Sequence, residues 1–229
     1  MILATLPDWV RPTVDYIWHV GVPGTLRIAA GSVIASTVVG IAFGTLLTLR
    51  FLPSRALIRL YIEIWRGLPL IVTILMVYFL APAVGLPTFS GIAAATIGLS
   101  LWGSAQVAEA TRGAIQSIPR EQHEAASALG FRWVARHVYV ILPQALRRLI
   151  PPMVTLLVGI IQNSTLAAVI GAAETLSTAQ RQIERLNAPP PIGYGNGHSF
   201  AILTGVAVAF FVISFPLTRL AAYLEKRLV

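Results

Sequence analysis

The sequence predicts an all-α integral membrane protein. Five transmembrane helices, with the N-terminus outside and the C-terminus inside, form a single domain over residues 1–229 with a cytoplasmic elbow at about 117–138. Three observations carry this expectation. The chain of 229 residues is 56% hydrophobic and only 11% charged, with mean hydropathy +0.76. A soluble domain carries about 25% charged residues, and a chain of this size cannot hide so much apolar surface in one water-facing core. Four runs free of Asp, Glu, Lys and Arg reach the length that crosses a bilayer, about 20 apolar residues. The basic residues are shared unevenly among the connecting segments. A soluble enzyme, a disordered chain and a nucleic-acid binder are thereby excluded, in spite of a formal net charge of +8.

The four runs are Ile28–Leu49 (22 residues), Gly67–Ala108 (42), Leu149–Ala173 (25) and Leu186–Thr218 (33). The second holds two spans, because Pro82-Ala-Val-Gly85-Leu-Pro87 fits a tight turn better than a helix. The expected helices cover about 18–50, 56–81, 89–115, 141–163 and 199–223. Pro189-Pro-Pro191 and Gly193-Tyr-Gly-Asn-Gly197 mark a loop before the last of them. Met1-Ile-Leu-Ala-Thr-Leu-Pro-Asp8 lacks a basic stretch ahead of an apolar run and does not read as a cleaved signal peptide.

Orientation follows from Lys and Arg. Arg50, Arg55 and Arg59 follow the first span. Arg112, Arg120, Arg132, Arg136, Arg147 and Arg148 flank or occupy the connection between the third and fourth, and Arg219, Lys226 and Arg227 close the chain. These 12 of the 17 basic residues fall on one side, the cytoplasmic one. They meet anionic lipid heads, which accounts for the charge without nucleic acid.

Three polar stretches need more than spanning to explain them. The connection from Ser117 to Pro143 carries Pro119 and Glu121 behind Ser117, a helix start, and Gly130, a helix stop. A second short helix follows over about 132–138, giving an elbow across the membrane face. Ala125, Ala126 and Ala128 keep its first arm thin enough for a groove on a partner; an amphipathic connector on lipid heads is the plainer alternative. Next, Gln162, Asn163, Ser164 and Thr165 place four hydrogen-bonding side chains at the outer end of the fourth helix. Such groups are costly against lipid and suit a cavity binding a zwitterionic solute, or else a cap before a short helix over 166–176. Finally, Arg59, Glu63 and Arg66, and Gln106, Glu109 and Arg112, share helix faces, as ion pairs or as part of a substrate site. The histidines His19, His123, His137 and His198 show no metal spacing and read as interfacial or solvated.

No Gly-x-Ser-x-Gly elbow and no His-Glu-x-x-His motif occurs. The single lysine, Lys226, follows Glu225, so the chain has no phosphate-binding Gly-Lys-Ser/Thr loop. Any ATP used in transport is hydrolysed by another polypeptide.

The 117–143 stretch resembles the cytoplasmic loop of importer-type ABC permeases, which reads E-A-A, three residues, G, nine residues, I-x-L-P. Here it is Glu124-Ala125-Ala126, Gly130 and Val140-Ile-Leu142-Pro143, with Val140 for isoleucine. Several further motifs are similar to permeases for polar amino acids. They are Gly21-x-x-x-Thr25-Leu26, Tyr61-x-Glu63-x-x-Arg66-Gly67-x-Pro69-Leu70, Gln116-Ser-Ile-Pro119 and Leu142-Pro-Gln-Ala145. Leu166, Val169-Ile-Gly171, Glu174 and Gln180 add to them, so that the resemblance runs from about Gly21 to Leu228. It departs at Gln162-Asn163-Ser164-Thr165, where relatives commonly have Lys-Asp-Thr-Ser; both charges are lost together and the local balance stays neutral. Thr175 stands where leucine is common.

The resemblance implies a type I ABC importer permease fold in a bacterial cytoplasmic membrane, with the elbow as coupling helix. It implies four kinds of partner: a second permease subunit, identical or paralogous, an ATPase dimer that binds ATP and Mg, an extracytoplasmic binding protein, and a polar amino acid. This chain itself holds no cofactor and is not an enzyme. Coupling falls to Glu124, Ala125, Ala126, Leu129, Gly130 and Pro143. The substrate pathway falls to Gln162, Asn163, Ser164 and Thr165, with Gln106, Glu109 and Arg66. An ion-coupled secondary amino acid transporter using Glu63 and Glu109 is the alternative.

Overall fold

The computed structural model describes residues 7–48 and 52–228. Arg50, counted on the inner side, and the Met1–Leu6 stretch lie outside them. Every regular element among the described residues is helical. In chain order these are α1 (Val10–Leu46), α2 (Leu52–Gly67), α3 (Leu70–Ala83), α4 (Gly91–Gln116), α5 (Arg120–Ala128), α6 (Trp133–Ile170), α7 (Thr175–Asn187) and α8 (Ser199–Leu228). Four of them are long and apolar enough to cross a membrane, and α2 with α3 makes a fifth if that broken pair is one span.

The breaks and widenings trace to proline. The expected continuous helix over 56–81 is broken at Leu68–Pro69: Pro69 has no N–H to donate and disfavours the helical conformation at Leu68. Three helices instead widen by one residue without stopping. Val22 N–H reaches the Ile17 carbonyl, Ala81 that of Met76 and Leu142 that of His137. Each widened turn ends on the residue before a proline (Pro23, Pro82, Pro143), where the ring would otherwise press on the preceding turn. The first helix begins earlier than expected, at Val10. The loop at Pro82–Pro87 is present, but Pro82 is still helical and the turn itself falls at Val84–Gly85, with Gly85 at φ +83°.

The chain forms two compact units. The first takes in the chain up to Ser32, Leu70–Leu99 and Ile160–Phe215; the second takes in Val33–Pro69, Ser100–Gly159 and the chain from Pro216 onward. In the first, Ile28, Ile74, Leu99, Ala167 and Ile170 make one core, and Ala179, Leu186, Ile202 and Val206 another against Trp9 and Ile17. In the second, Leu47, Ile58, Ile62, Ala105 and Ala108 pack together, as do Ile115, Ile118, Ile141, Ala145 and Leu149.

Within the second unit α1 and α4 approach closely through small residues. Ser36 is buried and donates to the Ser100 carbonyl at 3.4 Å. A side chain at Gly40 would meet Val107 at 2.4 Å, and one at Gly44 would meet the Ala108 carbonyl at 2.5 Å. In the first unit Ser32 donates to the Thr96 carbonyl at 3.2 Å. This four-residue repeat of small side chains suits helices associating in lipid, where contact and hydrogen bonding replace the hydrophobic effect. Large apolar side chains that stay exposed, among them Ile34, Val38, Phe211 and Val212, then face acyl chains.

Candidate functional site

The elbow belongs to the second unit. α5 starts at Pro119, in extended conformation, with no side-chain cap. Ser117, expected to open the helix, serves elsewhere: its hydroxyl donates to the Ala114 carbonyl at 2.8 Å, and Arg148 donates to its carbonyl at 2.7 Å and its hydroxyl at 2.9 Å. Proline already fixes the entry, and Ser117 ties the end of α4 to α6.

The stop at Gly130 is as expected. Gly130 sits at φ +82°, its N–H bonds the Ser127 carbonyl at 3.0 Å, and Phe131 N–H bonds the Ala126 carbonyl at 3.1 Å. This paired closure requires a left-handed residue, which glycine supplies without a Cβ penalty. Ala126 points inward, 2% exposed, where α5 packs on the His137–Ile141 turn. Glu124 and Ala125 face outward, and Leu129 protrudes, 78% exposed. Glu124 pairs with Arg120 at 2.7 Å on its own helix, an exposed pair of small energetic weight. Ser127 accepts from Arg136 at 2.7 Å, joining α5 to the first turns of α6.

The second arm differs from expectation. No separate helix occupies 132–138; α6 starts at Trp133 and continues through the widened turn and the exposed Pro143 to Ile170. His137, read from the sequence as interfacial or solvated, is 4% exposed, which removes the solvated alternative. Its ring stacks on Trp133 at 4.1 Å, Nδ1 lies 2.9 Å from the Trp133 carbonyl and Nε2 lies 3.2 Å from the Thr48 hydroxyl. The sequence has no local signal for this; it depends on Thr48, 89 residues away. His123 lies 6.3 Å from it, its pKa pushed down by burial and by Arg136.

The pathway candidates divide between the units. In the second, Gln106 lines a largely apolar cavity of about 360 Å³ with Trp102, Pro152, Met153 and Leu156. Glu109 is held in a fork by Arg112, whose Nη1 donates onward to Gln116 at 2.7 Å. Arg66 and Glu63 are exposed in α2, and among the described residues no ion pair joins Glu63 to Arg59 or Arg66. In the first unit, Ser164 is fully buried and donates to the Ile161 carbonyl at 2.7 Å, while Thr165 donates to that of Gln162 at 2.7 Å. The Gln162 side chain is exposed and that of Asn163 half-buried. The short helix expected over 166–176 is a tighter turn at Ser164–Ile170, stopped by Gly171 at φ +69°.

Sequence reasoning missed α7 and the role of Glu174. That carboxylate, fully buried, caps α7 by accepting from Leu176 N–H at 2.8 Å and Ser177 N–H at 2.6 Å. Ser177 returns the favour to Glu174 N–H at 3.1 Å, a reciprocal cap. Burial pushes its pKa up, and the two backbone donors oppose that. Thr25 meets Thr175 at 2.8 Å, and a Cβ on Gly24 would stand 1.8 Å from the Ala173 carbonyl oxygen. The Gly21-x-x-x-Thr25 spacing is the visible signal, since it puts both residues on the face that meets α7.

An apolar chain with four helices able to cross a membrane, or five if the broken pair is one span, defines a multi-pass membrane component. The chain belongs to the family described as binding-protein-dependent transport system inner membrane component, which matches residues 36–229. It is 38% identical over 164 residues to the probable amino-acid ABC transporter permease protein YckA of Bacillus subtilis (strain 168), covering 70% of each chain. It is 31% identical over 212 residues to the probable glutamine ABC transporter permease protein GlnP of the same organism, covering 93% of each. Among solved structures, it superposes with TM-score 0.82 on an amino acid ABC transporter crystallised with histidines, at 24% identity over 97% of this chain and 100% of that one. An inward-facing methionine ABC transporter gives 0.73 at 19% identity, over 98% and 100%. The fold is that of ABC importer permeases, and the ion-coupled alternative finds no support in these matches.

Proposed function

We propose that the whole chain acts as one permease domain that carries a polar amino acid inward by ATP-driven alternating access. Its N-terminus is outside and its C-terminus inside, it pairs with a second permease subunit, and a binding protein delivers the solute to the outer face. Two ATPase subunits, which bind the ATP and Mg, grip the elbows. The names of the relatives, amino-acid, glutamine and glutamate/aspartate permeases, support the substrate class.

The observation that carries this reading is the exposed outer face of α5, with Leu129 protruding just ahead of its glycine stop. Such a face is unfinished in water and fits a groove on a partner. Glu124 and Ala125 present the helix, Ala126 and Gly130 set its seat and its end, and Pro143 softens the start of α6. A push on α5 reaches α6 through Ser127 and Arg136, and α4 through the short link at Ser117. Tilting of α4 and α6 against the companion subunit opens and closes the path. Gln162, Asn163, Ser164 and Thr165, with Gln106, Glu109 and Arg66, are the proposed pathway residues.

A cysteine at Leu129 should cross-link to the ATPase subunit in the assembled transporter. Leu129→Asp should lower binding-protein-stimulated uptake about tenfold, the equivalent of losing one buried leucine contact. If the cysteine captures no nucleotide-hydrolysing subunit and Leu129→Asp transports normally, the reading is wrong.

A further inference from the structure

Behind the elbow, within the second unit, lies a cavity of about 290 Å³ to which Arg55, Gln116, His123, Trp133, Arg136 and His137 contribute. Among the described residues no carboxylate lines it. Arg55 and Arg136 belong to neither ion pair found among the described residues. The Arg136 Nε is buried without a hydrogen-bond partner, while its Nη1 is spent on Ser127. The Gln116 carbonyl is taken by Arg112, which leaves its amide N–H groups as donors.

Two guanidinium groups, the His123 imidazole and the Gln116 amide therefore line one concavity, beside a Thr48 hydroxyl already paired with His137, with no anionic acceptor among the described residues. A charged acceptor seated among these donors offsets the repulsion between the like charges and takes charge-assisted hydrogen bonds from the guanidinium groups. The pKa of His123 is pushed down first by burial and then by the Arg136 charge beside it. A tetrahedral oxyanion has enough oxygens for all four donors, and Trp133 at the lining is the residue type that marks membrane–water boundaries.

We propose that this cavity is a binding site for a phosphate-bearing anion, either the headgroup of an anionic phospholipid or a free phosphate. The site is independent of whether α5 docks an ATPase, since its donors lie behind that helix rather than on its outer face. An occupant bonds groups from four stretches of chain, the Arg55 and Gln116 turns, α5 and the start of α6, and so stiffens the elbow on its base.

The test uses the full-length chain purified with its associated subunits. Retention of phosphatidylglycerol against phosphatidylcholine is read by native mass spectrometry, and binding of inorganic phosphate in detergent by calorimetry. Arg55→Gln is safe for folding because the side chain is exposed; Arg136→Gln and Arg136→Lys follow, with melting curves to confirm that each variant is folded. Selective retention of phosphatidylglycerol, weakened about tenfold in Arg55→Gln and Arg136→Gln, supports the site with lipid as the source. Phosphate binding with the same loss, and no lipid selectivity, supports it with free phosphate as the source. Lys at position 136 should recover part of the loss, since it keeps the charge without the fork. The proposal is overturned if neither probe binds, if binding is unchanged in folded Arg55→Gln and Arg136→Gln, or if a carboxylate of an associated subunit cross-links into the cavity.

Discussion

Gly24→Ala should be among the most damaging single-methyl changes this chain can suffer. A Cβ there would sit 1.8 Å from the Ala173 carbonyl oxygen and 2.9 Å from its carbonyl carbon. Both are backbone atoms, so no side chain can swing aside. Ordinary contact begins at 3.4 Å, so the two segments must part by about 1.6 Å. That separation breaks the 2.8 Å bond between the Thr25 and Thr175 hydroxyls and the 3.2 Å bond from Thr175 N–H to Thr25. Overpacking costs about 1–3 kcal/mol, and the two buried hydrogen bonds contribute about 0.5–1.5 kcal/mol each. The expected loss is about 2–6 kcal/mol, a fall in melting temperature of at least about 4 °C for a chain of this size. Gly113→Ala is the control, because nothing lies within 4 Å of its added methyl; its effect should stay within about 1 kcal/mol. Thermal unfolding of the two variants in the same detergent, followed by light scattering or a fused fluorescent reporter, makes the comparison. Indistinguishable melting curves would refute the claim that α1 meets the segment leading into α7 backbone to backbone.

Gly130→Ala should cost about 1–2 kcal/mol through backbone strain alone, because the position is left-handed and otherwise open. Gly130→Asn should recover part of both stability and coupled ATPase activity, and equal behaviour of the two variants in uptake assays would count against the strain. Glu174 gives a pH signature. Its carboxyl titrates above the ordinary value of 4.5 in the folded chain, so its contribution is complete below that value and is lost as pH rises through the raised one. The melting temperature of the native chain relative to Glu174→Gln should therefore decline as pH is raised from about 4.5 towards neutrality, and a flat difference would contradict the burial argument. Among the pathway candidates, Gln162→Ala and Asn163→Ala should change the KM of uptake. Ser164→Ala and Thr165→Ala, whose hydroxyls are occupied by backbone carbonyls, should shift stability by about 1 kcal/mol or less.

The spans and the elbow were legible because each rests on a local rule. Apolar length marks a span, and glycine behind an alanine-rich turn marks a stop. Hydropathy was blind to the break at Leu68–Pro69, since a missing N–H leaves no mark on hydropathy. α7 escaped notice because Arg181, Glu184 and Arg185 removed it from the search for apolar runs, while the left-handed Gly171 moved the helix start to Thr175. Glu174 looked like a motif letter without a task; its capping role needs Ser177 three residues on, an inverted form of the usual box. The series Ser32, Ser36, Gly40 and Gly44 was in plain view at four-residue spacing, but only the approach of α4 gives it meaning. The burial of His137 was not legible because its surroundings come from Thr48, just past the end of α1, a tertiary fact with no local trace.

The widened turn at His137–Ile141 bears on how motion leaves the elbow. An uninterrupted helix from Trp133 to Ile170 would carry displacement of its first turn along its whole length as a stiff rod. One extra residue in the turn rotates everything before it by about 100° relative to an unbroken helix. Trp133 and His137 are thereby set apart in register from Ala145 and Leu149, and the Leu142 N–H bonds one residue further back, to His137. The first turns of α6 are anchored, besides by their own helix, by Ser127 and Thr48, through Arg136 and His137. Force applied to α5 therefore enters α6 through those side chains and Ile141, which is fully buried against Ile115 and Ile118. A rod of this design transmits where its side-chain contacts lie and yields at its widened turn, which closes on Leu142, the residue before Pro143.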